Sequence, residues 1–498
     1  MDTENHTIHH SQAEMPLVNA LQQCSDRLNA PFYTPGHKRG QSIPASLKDL
    51  LGKQVFRADL PELPELDNLF APEGVILAAQ ELAAAAFGGD RTWFLANGST
   101  SAVIAAILAT CNPGDILILP RNVHQSVISG LILSGAIPVF IQPDYDAALD
   151  IAHCITPAAV KLALASHPSA KAVLMVSPTY YGACGEVSAI AQLAHNHGIP
   201  LIVDEAHGAH FAFHPDLPMS ALQADADVAV QSTHKTLSAL TQAAMVHVQG
   251  SLIDRDRLSK SLALVQSTSP SYLLLASLDA ARWQMATQGE ALMSHTLHLA
   301  EKARSQISQI PNLATLSHHH ATTPGFVDFD STRLTVTVSG LGIHGFTADE
   351  ILNTQLSVTA ELPSLQHLTF IISLGNTAAD IEQLISAFEQ LAKQECRIQN
   401  SKFKIQNFYS LFPLPSSLSS LSPREAFFAA TETVAIARAI NRISAELVCP
   451  YPPGIPTLIP GELVTEAAIA SLQKILASGG IISGCADPSL GTLKVVKA

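Results

Sequence analysis

The chain has 498 residues, of which 47% are hydrophobic and only 14% charged, and its 28 basic and 42 acidic side chains leave a formal charge of −14. That length exceeds one compact domain and predicts about two to four, with enough apolar material for a large α/β core and for area buried between subunits. The acidic balance, without a Lys/Arg cluster, excludes a nucleic-acid surface, and the lack of any run of about 18 apolar residues argues against a membrane span.

The first ten residues, MDTENHTIHH, are polar and do not read as a signal peptide. A helix is expected near 15–29, followed by the turn-rich PFYTPGHKRG (31–40) and a Pro- and Leu-containing segment ending at Asp67. Residues 73–87 form a second helix: Val75, Ile76, Ala79, Leu82, Ala83 and Ala86 make one apolar stripe, and Gly88-Gly89 stops it. Between 91 and 250 short apolar runs alternate with helical patterns such as Val187–His197. The runs are Thr92–Ala96, Asp115–Pro120, Pro138–Gln142, Ala172–Val176, Pro200–Asp204, Val228–Gln231 and Ala244–Val248. Strands separated by helices predict an α/β fold with a mostly parallel, seven-stranded sheet covered on both faces.

Residues 272–310 read as a helix, and a smaller α+β region follows to about 395, with Arg333–Ser339 and Leu368–Ser373 as strands. The stretch 396–423 repeats IQN, turns Ser/Pro/Leu-rich, and reads as a linker or insertion. A C-terminal module from 424 to 498 opens with a helix over Arg424–Ile443 and contains CPYPPGIPTLIPGE (449–462). The expected division is therefore 1–70, 71–290, 291–395, 396–423 and 424–498. Seven scattered cysteines without CxxC pairing point to a reducing, cytoplasmic compartment. His318-His319-His320 are adjacent and cannot easily converge on one ion, so they read as a solvated turn and no metal site is expected.

Ligands of such sheets sit beyond the carboxyl ends of the strands, and four polar motifs fall there. In QSTHK (231–235) Lys235 ends an apolar strand beside Ser232 and His234, where an amine can join an aldehyde cofactor as a Schiff base. A strand-end lysine alone is usually a solvated surface residue; its partners change that. Asp204 ends the strand of LIVDEAHGAH, where a carboxylate can keep a pyridine nitrogen protonated, with Ala206 and His207 on the loop beneath the ring. In ANGSTSA (96–102) a strand runs into Ser99, Thr100 and a helix start, a candidate phosphate cradle, although ordinary helix capping explains such a sequence as well. His124 in RNVHQS is placed to stack on the ring opposite Ala206.

These motifs resemble the Orn/Lys/Arg decarboxylases of the aspartate-aminotransferase fold (pyridoxal-phosphate fold type I), in a short form without the N-terminal wing domain. The likeness also covers TPGHKRG (34–40), PEGVILAAQELAAAAFG (72–88), TSPSY (268–272) and PPGIPTLIPGE (452–462). It implies a basic-amino-acid decarboxylase feeding polyamine synthesis, with arginine favoured over lysine and ornithine. It further implies pyridoxal 5′-phosphate on Lys235, Asp204 at the pyridine nitrogen, His124 on the ring, and Ser99, Thr100, Ser232 and His234 at the phosphate. Region 71–290 would be the cofactor domain and 1–70 would contribute to a dimer or larger homo-oligomer with active sites at the subunit interface. Ala243 stands where aminotransferases of this fold commonly carry a phosphate-binding Arg. A cationic substrate needs an acidic partner; Glu462, Asp67 and Glu65 are the candidates, with His37 also near the substrate. Lys235 or His234 would return a proton to Cα. A fold-type-I aminotransferase, a Cβ-lyase, or a catalytically silent regulatory relative are the alternatives.

Overall fold

The computed structural model describes residues 11–398, 421–451 and 453–497. Seven strands form the central sheet: β1 (Arg91–Leu95), β2 (Ile116–Pro120), β3 (Ile137–Ile141), β4 (Ala172–Val176), β5 (Leu201–Asp204), β6 (Val228–Gln231) and β7 (Ala244–Val248). Their order is β1-β7-β6-β5-β4-β2-β3, and only β7 runs antiparallel to its neighbours. All seven expected runs are strands of this one sheet, as the α/β reading requires.

Alternation explains why these strands are apolar throughout. Leu117 and Leu119 face one core while Ile118 faces the other, and Ile202 is flanked by Leu201 and Val203 in the same way. Both faces are covered, so neither set can be polar. One face packs under the helices Gly98–Thr110, Gln125–Ser134 and Arg255–Val265, the other under Pro157–Ser166 and Val187–His195. Helix Gly98–Thr110 buries Ser101 through Ile107, almost its whole circumference, which is why it shows no polar stripe.

The 36-residue helix Tyr272–Ile307 joins two cores. Tyr272, Leu275, Leu278 and Met285 pack with the N-terminal helices, whereas Leu299, Ala300, Ala303 and Ile307 belong to the smaller domain. The expected boundary at 290 thus falls inside one continuous helix. The smaller domain is a four-stranded antiparallel sheet that includes Arg333–Thr337 and His367–Ile371.

Two expectations need correction. The single helix expected over Arg424–Ile443 is two short ones, Pro423–Phe428 and Ile436–Ala439, and between them Thr431–Ala435 is a strand paired antiparallel with Thr492–Val496. Its exposure alternates residue by residue, and Thr431, Thr433 and Val434 are β-branched, so the period is two rather than 3.6. The segment before Asp67 contains an unforeseen helix, Ala45–Ala58, kinked at Gly52 (φ 73°). The IQN-repeat stretch lies almost wholly outside the described residues. No helix among the described residues is long and apolar enough to cross a membrane. His318–His320 form one 3-10 turn with the exposed His318 beside Asp328, and no cluster of three or more metal-ligating side chains occurs among the described residues.

Candidate active site

Strands β1, β2, β4, β5 and β6 run the same way, so their carboxyl ends share one edge of the sheet. That edge delivers Ser99 after β1, His124 after β2, Tyr180 after β4, Asp204 at the end of β5 and Lys235 just past β6. Lys235 lies in a one-turn helix, Thr233–Thr236, which begins directly after the fully buried Ser232.

The Lys235 amine is 3.0 Å from Nε2 of His207 and 5.5 Å from the centre of the Tyr180 ring. Tyr180 and His207 lie ring to ring at 4.4 Å, and the Tyr180 hydroxyl donates to the Pro453 carbonyl at 2.9 Å. Below His207 the Arg333 guanidinium donates to both its Nδ1 (3.0 Å) and its carbonyl oxygen (3.1 Å). Burial lowers the Lys235 pKa; the Asp204 and Glu361 carboxylates oppose that shift and Arg333 reinforces it. Burial likewise raises the Asp204 carboxyl, while Lys235 and the Ala206 amide (3.2 Å) pull it back down. Lysine and carboxylate therefore sense each other's charge within one site.

Ser232 Oγ donates to Ser99 Oγ at 2.6 Å, which brings two of the expected phosphate ligands together. Thr100 beside them is exposed. His234 accepts nothing at Nδ1; that atom donates to the Ala243 carbonyl at 2.9 Å, so the neutral ring offers Nε2 as an acceptor. His124 caps helix Gln125–Ser134 by accepting the Ser126 amide, and burial drives its pKa down to about 4. The ring is thus an uncharged aromatic plate at neutral pH. Gly454 presses against it: with φ at 88°, a Cβ there would sit 3.2 Å from the His124 ring.

The candidates for a substrate-binding acid are each engaged elsewhere. Asp67 accepts the amides of Asn68, Glu73, Gly74, Ile76 and Leu77 and so caps the helix Val75–Phe87. Glu65 pairs with Arg27 at the surface, His37 with Asp59 at 3.1 Å, and Glu462 with the buried Arg121 at 2.9 Å. Arg333, Tyr180 and Glu361 are the residues the sequence reading missed. Tyr180 follows a strand end and the same edge rule could have found it; Arg333 and Glu361 come from the smaller domain and carry no local signal.

Glu205, next to Asp204, is 1% exposed and accepts from the Ala221 amide and the Gln231 side chain. Burial moves its pKa from the ordinary 4.5 to about 8. A folded-state value above the unfolded one means a stabilising contribution present in full below about pH 4.5 and lost as pH rises through about 8. Glu205→Gln, neutral at every pH, is expected to flatten the decline in unfolding temperature across that window. A variant whose melting temperature falls as steeply as that of the parent would contradict this.

Comparison with known proteins bears out the family resemblance. The Orn/Lys/Arg decarboxylase major domain matches residues 15–386, and the C-terminal domain of the same family matches 404–480. An arginine decarboxylase of Bacillus subtilis is 38% identical over 98% of this chain and 99% of its own length. One from Bacillus anthracis is 39% identical, with 98% of each covered. Among solved structures, the lysine decarboxylase of Francisella novicida superposes with a TM-score of 0.83 at 23% identity, covering 97% of this chain and 81% of that one. A ureidoglycine-glyoxylate aminotransferase from Bacillus subtilis shares the fold more distantly, at a TM-score of 0.51, 13% identity, and 67% and 87% coverage. The sheet is therefore that of pyridoxal-phosphate fold type I, and the chain belongs to the Orn/Lys/Arg decarboxylase family, whose members remove the α-carboxylate of basic amino acids.

Proposed function

We propose that this enzyme uses pyridoxal 5′-phosphate bound at Lys235 to convert arginine to agmatine and CO2. The observation that carries the reading is the single site formed by a partly desolvated amine at 235 and a buried carboxylate at 204 on one sheet edge. Arginine is favoured because relatives 38% to 41% identical, matched over nine-tenths or more of both chains, are arginine decarboxylases.

The residues present fit the cofactor. Thr233 buries a hydroxyl with no partner beside the paired Ser99 and Ser232, and the amino end of helix Gly98–Thr110 opens at the same place. Those groups, with Thr100 and His234, would hold the phosphate. Asp204 would hold the ring nitrogen's proton, with His124 and Ala206 on the two ring faces and His207 alongside. When bound, pyridoxal phosphate supplies an aldehyde for amines and an electron-poor ring that accepts the pair released as the Cα–carboxylate bond breaks.

The protein's own part is burial, orientation and proton handling. Asp204 is 6% exposed, so the substrate carboxylate enters a water-poor site, where leaving as neutral CO2 relieves its desolvation. Because Nδ1 of His234 is spent on Ala243, we assign the proton returned to Cα to Lys235 rather than to His234. Glu361, which acts electrostatically on Lys235 and Arg333, is the acid we assign to the substrate's cationic end.

We further propose a cytoplasmic homo-oligomer in the polyamine pathway. The described cysteines are unpaired thiols, and Leu28 and Phe32 in the N-terminal segment are about fully exposed apolar side chains that a second subunit would cover. Incubation with pyridoxal phosphate and arginine, lysine or ornithine in turn tests the activity by CO2 and amine analysis. Agmatine from arginine is expected. Cadaverine or putrescine as the main product would reassign the substrate, keto acid or pyruvate without CO2 would overturn decarboxylation, and no product at all would leave a regulatory binder.

A further inference from the structure

Lys235 and His207 share one hydrogen bond whose direction the surroundings decide. Arg333 NH2 lies 3.0 Å from Nδ1 of His207 and 3.1 Å from its carbonyl oxygen, and a guanidinium can only donate. Nδ1 must then carry the lone pair. A neutral imidazole with its lone pair on Nδ1 has its hydrogen on Nε2, the atom 3.0 Å from the Lys235 amine. Lys235 is left as the acceptor, which only the unprotonated amine can be.

We propose that Arg333 is a positioning residue: through Nδ1 of His207 it fixes the Nε2–H tautomer, and that hydrogen bond holds Lys235 as the free, nucleophilic amine. The assignment rests on the reading of Lys235 as the cofactor's anchor. An ordinary lysine is neutral in only about one molecule per thousand near pH 7.4, too few for ready attack on an aldehyde. Protonation of His207 itself is disfavoured by its complete burial and then by Lys235 and Arg333, with His124 and His210 adding to the same effect. The groups acting on Lys235 are Asp204 and Glu361, which favour its charged form, and Arg333, which does not. Arg333 is 0% exposed, and its Nε lies 3.8 Å from Oδ2 of Asp330, whose other oxygen is held by His210 at 3.1 Å and by Thr332. Its position is therefore set by the fold and not by solvent.

The test is the titration of Lys235 in the full chain stripped of cofactor. Trace acetic anhydride acylates only the free amine, forming the N–C bond, releasing acetate and passing one proton to solvent; peptide mass spectrometry reads each lysine against pH. Lys235 is expected to titrate at least about one unit below the exposed Lys48, a tenfold larger neutral fraction at the same pH. Arg333→Met should move that profile up by about one unit, and Arg333→Lys, which keeps a cation and a donor, should hold it near the parent. A merely structural role would lower the yield of folded protein without moving the profile. Coincident titration of Lys235 and Lys48 in the parent protein overturns the proposal with no variant needed, and so does an unshifted Arg333→Met profile. A parent chain that labels as expected but gains no visible absorbance with pyridoxal phosphate leaves the tautomer standing and removes the proposed function instead.

Discussion

Replacing Lys235 with alanine is expected to lower turnover by on the order of 10⁴-fold or more and to abolish the visible absorbance that pyridoxal phosphate gains on joining a lysine. Among the described residues the cationic neighbour in the site is Arg333, whose guanidinium is fully buried and turned toward His207 and is no substitute for a primary amine. The fold should survive the change. Burial already disfavours the charged form of Lys235, so removing the amine takes away a desolvated group and leaves its partner His207 still bonded to Arg333. Amine analysis, absorbance and thermal unfolding on the same preparation separate the possibilities. Loss of turnover with an unchanged melting temperature is the expected result. Continued release of CO2 by Lys235→Ala would sink the assignment.

The central sheet was readable because each of its strands is a short apolar run stopped by a polar or turn residue, a pattern that both-face burial imposes. Lys235, Asp204, His124 and Ser99 were readable for a related reason: each sits at or just beyond such a stop, and parallel strands bring those stops to one edge. Arg333 was not. It opens a strand of a different sheet, and its contact with His207 spans 126 positions of sequence, so no local pattern marks it. The reading of 424–443 as one continuous helix failed at Thr431–Ala435 because the alanines around it mask a two-residue period that appears only when Thr492–Val496 pairs with it. Glu462 and Asp67 were sensible candidates as carboxylates near motifs. Sequence alone could not show that a guanidinium in one case, and a helix amino end in the other, already uses them.

Glu462 gives the second large effect, on stability. Arg121 follows β2 and is 4% exposed, and it donates to both Glu462 oxygens as well as to the carbonyls of Pro456 and Thr457. Glu462 also accepts the Ile459 amide at 3.1 Å. One guanidinium thus fastens the segment from Pro456 to Glu462 onto the sheet edge, and two residues before that segment Gly454 lies against the ring of His124. Deleting one partner of a buried pair strands the other charge, at a cost of about 3–5 kcal/mol. Glu462→Ala is therefore expected to lower the unfolding free energy read from a urea titration by that amount, moving the midpoint down, and to weaken the packing behind His124. A double variant with both Arg121 and Glu462 replaced by methionine should recover most of the loss, because no uncompensated charge then remains buried. A substrate-binding role predicts the opposite split, an unchanged midpoint with a large rise in KM for the basic amino acid, and that outcome would return Glu462 to the substrate pocket.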